Sequence, residues 1–542
     1  MTTHESTGQK IARFLVANGV DTVFGIPGAH TYDFSDALHE QQDALRFILT
    51  RHEQGAGYMA YGYAKSSGKA GVYTVVPGPG VLNSGAALCT AYGANAPVCC
   101  ITGNIMSHLI GRGRGQLHEL NDQLALLRGL TKAAERIDHP SMANNVMSDL
   151  FGRMMSGRQR PVAAEIPWDV FGQAGVREDS PVARPFAAPV LDQDAVEAAA
   201  KLIASAKNPL IMVGGGAVNA ASEIRELARV LQAPVVAHRS GKGIVPDDVP
   251  YSLNAVAGYE YWEHCDLLIG IGSRLELQHM RWRWLPKNLK TIRIDVDPTE
   301  MVRLKPDVAI VADAKEGTNG LLNSVSHAIA PREKEFSELK LRAGQRLNSI
   351  SPQLEYLVAI REVLPRDGFF VEEICQMGFS ARLAFPVYDP RQYVTCGYQD
   401  NLGFGFNTAL GVKVANPDKA VVSISGDGGF MFGVQELATA VQHGINVVSI
   451  VFDNKAYGNV RRDQQQTYGG RLIGADLVNP DFAALAESFG VRAWRADSPE
   501  ALKLALSQAL ALGAPALIHV PMETGSEANP WPLIHPAPHK TS

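Results

Sequence analysis

Val421-Val422-Ser423-Ile424-Ser425-Gly426-Asp427-Gly428-Gly429-Phe430 decides the fold. Its first half is apolar and rich in β-branched residues, the composition of a buried strand. Three glycines around one aspartate then turn the chain into a helical stretch that runs on through 433–443. A second apolar, β-branched run, 446–452, leads into Asp453-Asn454-Lys455-Ala456-Tyr457-Gly458. Strand, helix and strand at this spacing make a parallel unit whose two strands end on the same sheet edge. Ligands of open α/β sheets bind at that edge. A helix N-terminus there offers free N–H groups to phosphate oxygens, and glycines let the backbone come close.

Gly-Asp-Gly alone is a common turn, and the asparagine that ends the next strand gives it weight. Mg²⁺ takes about six oxygen ligands and shares them between protein and phosphates. Asp427 supplies a carboxylate, Asn454 an amide oxygen and Ala456 a carbonyl. A diphosphate and water would complete the shell.

The same alternation of strands and helices extends outward. In the first third, 22–25, 47–49, 72–76 and 98–102 are expected strands, and 8–18, 53–65 and 82–94 are expected helices. The pattern lapses over 171–193, where charged and proline-rich residues read as a linker. It resumes with strands at 209–213, 234–237, 267–271 and 291–296 and a helix at 221–231, and lapses again over 331–352. The expected fold class is α/β: three doubly wound parallel-sheet domains over 1–175, 191–335 and 355–525. The four prolines of the 526–542 tail predict no regular structure there.

Composition narrows the class. The 542 residues are 46% hydrophobic and only 19% charged, against about 25% charged in ordinary globular proteins. A large interior or surface buried between subunits would account for the shortfall. The formal net charge of −5 leaves no basic field for nucleic acid. No apolar run reaches the ~18–20 residues of a membrane span. The polar start, Met1-Thr2-Thr3-His4-Glu5, and six cysteines without a CxxC spacing point to a cytoplasmic protein with reduced core cysteines.

Gly-Asp-Gly-Gly-Phe with Asn454 resembles the thiamin diphosphate (ThDP) motif. The resemblance runs from Gly8 to about Val520 and is nearest to the acetolactate synthase and benzaldehyde lyase branch of ThDP enzymes. It implies pyrimidine-binding, middle and diphosphate-binding domains in that order. It also implies Asp427, Asn454 and Ala456 as Mg²⁺ ligands, and Gly426, Gly428, Gly429 and Gly458 around the diphosphate. The family's cofactor bridges two subunits, so the chain is expected to form at least a homodimer and commonly a homotetramer.

Further residues follow from the resemblance. Arg51-His52-Glu53, with Gly62-Tyr63-Ala64 beyond it, is similar to the surroundings of the family's catalytic glutamate. Glu53 would hydrogen-bond the cofactor's aminopyrimidine and so promote loss of the thiazolium C2 proton, leaving an ylid that attacks the substrate carbonyl and passes through an enamine. Leu402 resembles the apolar residue that bends the cofactor, and Gly378, Asp400 and Asn401 lie in segments similar to cofactor-lining ones. Gly25-Ile26-Pro27-Gly28-Ala29-His30 resembles benzaldehyde lyase in its Ala-His pair, so Gly28 is expected at the cofactor, Ala29 in the pocket and His30 as a proton relay. Gly78-Pro79-Gly80 with Asn83 resembles a loop that contacts the bound intermediate. In Gly115-Gln116-Leu117-His118-Glu119 either Gln116 or His118 matches the family's pocket glutamine.

Departures from the family matter too. Branched-chain acetolactate synthases carry Gly-Met-Val-x-Gln-Trp, where this chain has Gly458-Asn459-Val460-Arg461-Arg462-Asp463. Asn459 and Asp463 predict a more polar substrate pocket. Gly214-Gly215-Gly216 after a strand suggests a dinucleotide, but no GxGxxG occurs, and 253–259 lacks the GxHG loop of flavin-binding members. The reading is against FAD without excluding it. Together these features predict a ThDP- and Mg²⁺-dependent carboligase or lyase of acetolactate synthase type acting on small 2-oxo acids or 2-hydroxy ketones. A 2-oxo acid decarboxylase or diketone-cleaving enzyme is the alternative. A flavin or nicotinamide oxidoreductase would leave Asp427, Asn454 and Glu53 unexplained.

Overall fold

A computed structural model describes residues 4–282, 284–325 and 330–536. It contains three six-stranded sheets, every strand pair in them parallel, as the alternation predicts. The first sheet runs Arg46–Leu49, Thr22–Gly25, Gly71–Val75, Val98–Asn104, Val162–Pro167, Ala133–Arg136. The third runs Tyr393–Val394, Phe369–Val371, Val421–Gly426, Val448–Asp453, Ala516–Pro521, Arg492–Arg495. Both follow the order second, first, third, fourth, sixth, fifth. The middle sheet runs Ser252–Leu253, Val235–Ala237, Pro209–Val213, Leu267–Ile271, Lys290–Asp295, Val308–Val311, the strand order of dinucleotide-binding folds.

Successive side chains of a strand point to opposite faces, so a sheet covered on both sides sends alternate residues into two cores. In the first sheet Phe24, Tyr73 and Cys100 enter one core, and Val23, Val72, Cys99 and Ile101 the other. In the third sheet Val421, Val451 and Leu517 join the same core as Phe24 and Tyr73. One core therefore serves the first and third domains together. At its centre the helix Glu53–Ser67 crosses the helix Gly405–Ala415. The crossing is close because glycines face backbone: a Cβ on Gly411 would lie 1.9 Å from Met59 O, and one on Gly62 2.1 Å from Thr408 O.

The ends of the first domain are tied by an antiparallel pair, His4–Ser6 with Ala174–Val176. The linker is shorter than the expected 171–193: the strand Ala174–Val176 falls inside that stretch, and no helix or strand occupies 177–192. The second lapse holds a helix, Glu333–Leu347, whose Phe336, Leu339, Ala343 and Leu347 pack with Trp262 and Trp282 of the middle domain.

The tail is a correction. Within the described residues it carries a helical turn, Trp531–Ile534, and Leu533 and Ile534 are buried in the middle domain. Apolar burial outweighs the prolines, one of which, Pro532, sits in the first turn, where its missing N–H costs nothing. Residues 537–542 lie outside the described residues.

Candidate active site

The strand Val421–Gly426 passes straight into a helical turn, Asp427–Phe430, as its sequence predicts. Beside it Val448–Asp453 ends in the loop holding Asn454 and Ala456. These two strand ends open on a cavity of about 270 Å³ lined by Leu402, Gly426, Asp427, Gly428, Gly429, Asn454, Ala456, Gly458 and Asn459. Gln376, Met377, Phe379 and Glu527 also stand in its wall.

Asp427 is 1% exposed, and Asn479 Nδ2 donates to its Oδ2 at 2.6 Å. Asn479 also reaches Asp453 Oδ1 at 2.8 Å, and Asp453 Oδ2 meets His519 Nε2 at 3.0 Å. No lysine or arginine pairs with Asp427 among the described residues. Burial pushes its carboxyl up to about 6; the Asn479 hydrogen bond opposes this and the Asp453 charge adds to it. A buried carboxylate short of positive charge, next to an amide oxygen and a loop carbonyl, is a set of hard oxygen donors that fits Mg²⁺.

Asn454 is held by its own loop and by the tail. Its Oδ1 accepts from the Ala456 N–H at 3.1 Å, and its Nδ2 donates to Glu527 Oε1 at 2.6 Å. Gly428 has no room for a side chain, since a Cβ would lie 2.4 Å from the Tyr457 ring. Beneath the turn, Glu373 accepts from the Phe404 N–H at 3.1 Å and also from the Gly403 N–H, and a Cβ on Gly429 would meet its carboxyl at 2.8 Å. Burial pushes Glu373 up to about 7, against hydrogen bonds from the Gly403 and Phe404 N–H groups.

The first domain carries a separate cluster. Glu53 opens its helix, and Asn83 Nδ2 donates to Glu53 Oε2 at 3.0 Å. The preceding turn is fixed by Glu436, whose carboxylate accepts from the Arg51 and His52 N–H groups. The Gly78-Pro79-Gly80 loop is itself the start of the helix Pro79–Gly93, with Pro79 in its first turn. Gly28, with Ala29 beside it, caps a short turn through Thr31. His30 is 1% exposed, stacks on His118 at 5.1 Å and meets Trp168 in a tilted contact at 4.9 Å. Burial, then His118, lowers the His30 pKa.

Not every expected residue reaches a site. The Gln116 residue is exposed, while His118 stacks on His30, so the structure groups His118 with the cluster. Asn401 turns away from the cavity toward the first domain, accepting from Thr90 Oγ1 at 2.9 Å and donating to Tyr58 Oη. Asp463 is exposed beside Arg462 and does not line the cavity, because it faces outward from the helix Gly458–Thr467. Gly378 is needed for packing, since a Cβ there would lie 1.9 Å from Glu373 O. Asp400 lines the cavity, but Arg239 and Arg382 grip its carboxylate and, against the effect of burial, hold it well below the usual range.

Sequence reading missed Asn479, Glu373 and Glu527. Asn479-Pro480-Asp481 reads only as a turn, and Glu527 stands in a tail whose prolines hide its order. A larger cavity of about 430 Å³ opens where the Gly214–Gly216 turn meets Arg274 and the first domain's Arg158. The buried Asp427 carboxylate, which pairs with no lysine or arginine among the described residues, lies in the smaller cavity.

Comparison with known proteins agrees with this division. Family models described as the N-terminal binding, central and C-terminal binding domains of thiamine pyrophosphate enzymes match residues 5–126, 196–321 and 373–520. A probable acetolactate synthase large subunit of Methanocaldococcus jannaschii is 34% identical over 98% of this chain and 94% of its own length. The acetolactate synthase isozyme 1 large subunit of Escherichia coli is 31% identical over 98% and 96%. A probable 2-ketoarginine decarboxylase of Pseudomonas aeruginosa is 33% identical over 90% and 88%.

Proposed function

Because the chain belongs to the thiamine pyrophosphate enzyme family, as a ThDP-dependent enzyme of acetolactate synthase type, we propose that it is a Mg²⁺-dependent carboligase or lyase acting on small 2-oxo acids or 2-hydroxy ketones. The observation that carries this reading is the cavity at the ends of Val421–Gly426 and Val448–Asp453, with a buried carboxylate, Asp427, that no lysine or arginine among the described residues pairs with. Asp427, Asn454 and the Ala456 carbonyl would hold the Mg²⁺, and Gly426, Gly428, Gly429 and Gly458 leave room for a diphosphate. Leu402 supplies an apolar surface for the cofactor to bend over. Bound ThDP supplies the electron sink for breaking or forming a carbon–carbon bond beside a carbonyl.

The protein's own groups hold and move protons. Glu53 offers its carboxyl to the cofactor's aminopyrimidine, and Asn83 sets the direction of that carboxyl through its hydrogen bond to Oε2. Burial lowers the His30 pKa, which favours the neutral ring, and Nδ1, with no hydrogen-bond partner among the described residues, is its acceptor toward the substrate. His118 stacks against it and sets the plane of its ring.

Among the described residues, those lining the cavity all lie between 374 and 527, and Glu53 and Asn83 are not among them. This supports a homodimer at least, in which the first domain of one copy completes the cavity of another. Exposed apolar side chains on both faces fit that pairing: Leu82 at 53% in the first domain, and Phe432 and Val460 at 47% each in the third. Light scattering on purified protein tests it, with a monomer of full activity as the contrary result.

A second reading, simple decarboxylation of a 2-oxo acid, is favoured by the 2-ketoarginine decarboxylase relative and by the polar side chains Gln376, Asn459 and Glu527 in the cavity wall. Incubation with ThDP, Mg²⁺ and either pyruvate or 5-guanidino-2-oxopentanoate decides between the readings. Carboligation gives a product heavier than the donor, whereas decarboxylation gives CO₂ and the aldehyde alone.

A further inference from the structure

The flip state of the Asn454 amide is set by two contacts. Nδ2 donates to Glu527 Oε1 at 2.6 Å, and Oδ1 accepts from the Ala456 N–H at 3.1 Å. A reversed amide would face oxygen with carboxylate on one side and NH₂ with N–H on the other, so the pair permits one orientation. Ala456 is local, but Glu527 comes from the far end of the chain.

That end is strapped across the cavity. Met522 N–H donates to Asp453 O at 2.8 Å, and Thr524 Oγ1 to Asn454 O at 2.7 Å. Ala528 exchanges two hydrogen bonds with the fully buried Gln353 side chain, at 2.8 and 3.1 Å. Trp531 Nε1 donates to Asn459 Oδ1 at 2.9 Å, and Leu533 and Ile534 anchor the strap in the middle domain. Glu527 is thus held in place by contacts on both sides of it.

We propose that Glu527 is a positioning residue of the metal site: by accepting from Asn454 Nδ2, it keeps the amide oxygen on the side from which it serves a divalent cation. Groups that orient metal ligands in this way affect affinity without touching the metal. The proposal rests on the assignment of Asp427, Asn454 and Ala456 as metal ligands.

The test is calorimetric titration of Mg²⁺ into the full chain with ThDP in excess, alongside melting of the metal-free protein. Glu527→Ala weakens the apparent Mg²⁺ affinity about 10- to 100-fold. Glu527→Gln recovers most of it, because its amide oxygen still accepts from Nδ2. Both variants melt with the parent when metal-free. Parent-like affinity in Glu527→Ala overturns the proposal. So does an equal loss in both variants, and so does a loss that tracks a lowered metal-free melting temperature. Asp427→Ala separates this from the underlying assignment: parent-like Mg²⁺ binding there removes the metal site itself, whereas its loss beside an unaffected Glu527→Ala removes only the positioning role.

Discussion

Asn83 Nδ2 lies 3.0 Å from Glu53 Oε2, so the carboxyl that opens the helix Glu53–Ser67 is aimed by the helix that follows the Gly78-Pro79-Gly80 turn. Glu53→Gln keeps the shape and removes the acid. Its expected outcome is ThDP binding within a few-fold of the parent and turnover lowered at least 100-fold, the lower end for loss of a positioned acid–base group. Asn83→Ala lowers kcat less, about 10-fold. Unchanged turnover in Glu53→Gln would remove that residue from the chemistry.

The Asp427 carboxyl gives a pH signature. Its pKa rises from 3.8 unfolded to about 6 in the metal-free fold. The folded state therefore binds this proton more tightly, and its contribution to metal-free stability is present at low pH and lost as pH rises through that window. Metal-free Asp427→Asn is expected to be more stable than the metal-free parent at pH 7, on the order of 1–3 kcal/mol, with the gap closing by pH 4. Mg²⁺ affinity runs the other way, falling below about pH 6 as protons compete for the ligand. Thermal melts with and without EDTA across pH 4–8 measure both.

Arg239 is 5% exposed and joins Glu276 of the middle domain to Asp400 beside Leu402. Removing one member of a buried ion network strands the others and costs about 3–5 kcal/mol. Arg239→Ala should lower the melting temperature and, by freeing the Asp400–Leu402 turn, weaken ThDP binding. A variant that melts and binds like the parent would show that the network does not hold this turn.

Gly411→Ala would set a methyl group 1.9 Å from Met59 O. The helices must separate, at a cost of about 3 kcal/mol or more, the upper range for overpacking. Chemical denaturation reads the loss. Gly444, which closes its helix at φ +60 with nothing within 4 Å of the added Cβ, is the contrast, because Gly444→Ala strains only the backbone, at about 1 kcal/mol.

Strands rich in Val and Ile, such as Pro209–Val213, Leu267–Ile271 and Val421–Gly426, were legible to within a residue or two because burial on both faces demands that composition. Ala133–Arg136, Val162–Pro167 and Val308–Val311 escaped notice, since alanine-rich or short edge strands carry little periodic signal. Asp427 and Asn454 stood out because their spacing is set by one βαβ unit. Asn479, Glu373 and Glu527 did not, because each reaches the site through tertiary contacts that no local pattern encodes. The helix Glu333–Leu347 falls where the alternation lapses, and its allegiance to the middle domain depends on Phe336 and Leu339 meeting Trp262 and Trp282.

The glycine crossing of Glu53–Ser67 on Gly405–Ala415 leaves no side chain between the two backbones to absorb motion. Glu53 stands at the head of one helix, and the Leu402–Gly403 turn leads into the other. If the first domain of one copy completes the cavity of another, as proposed above, these two helix starts border different active centres within one chain.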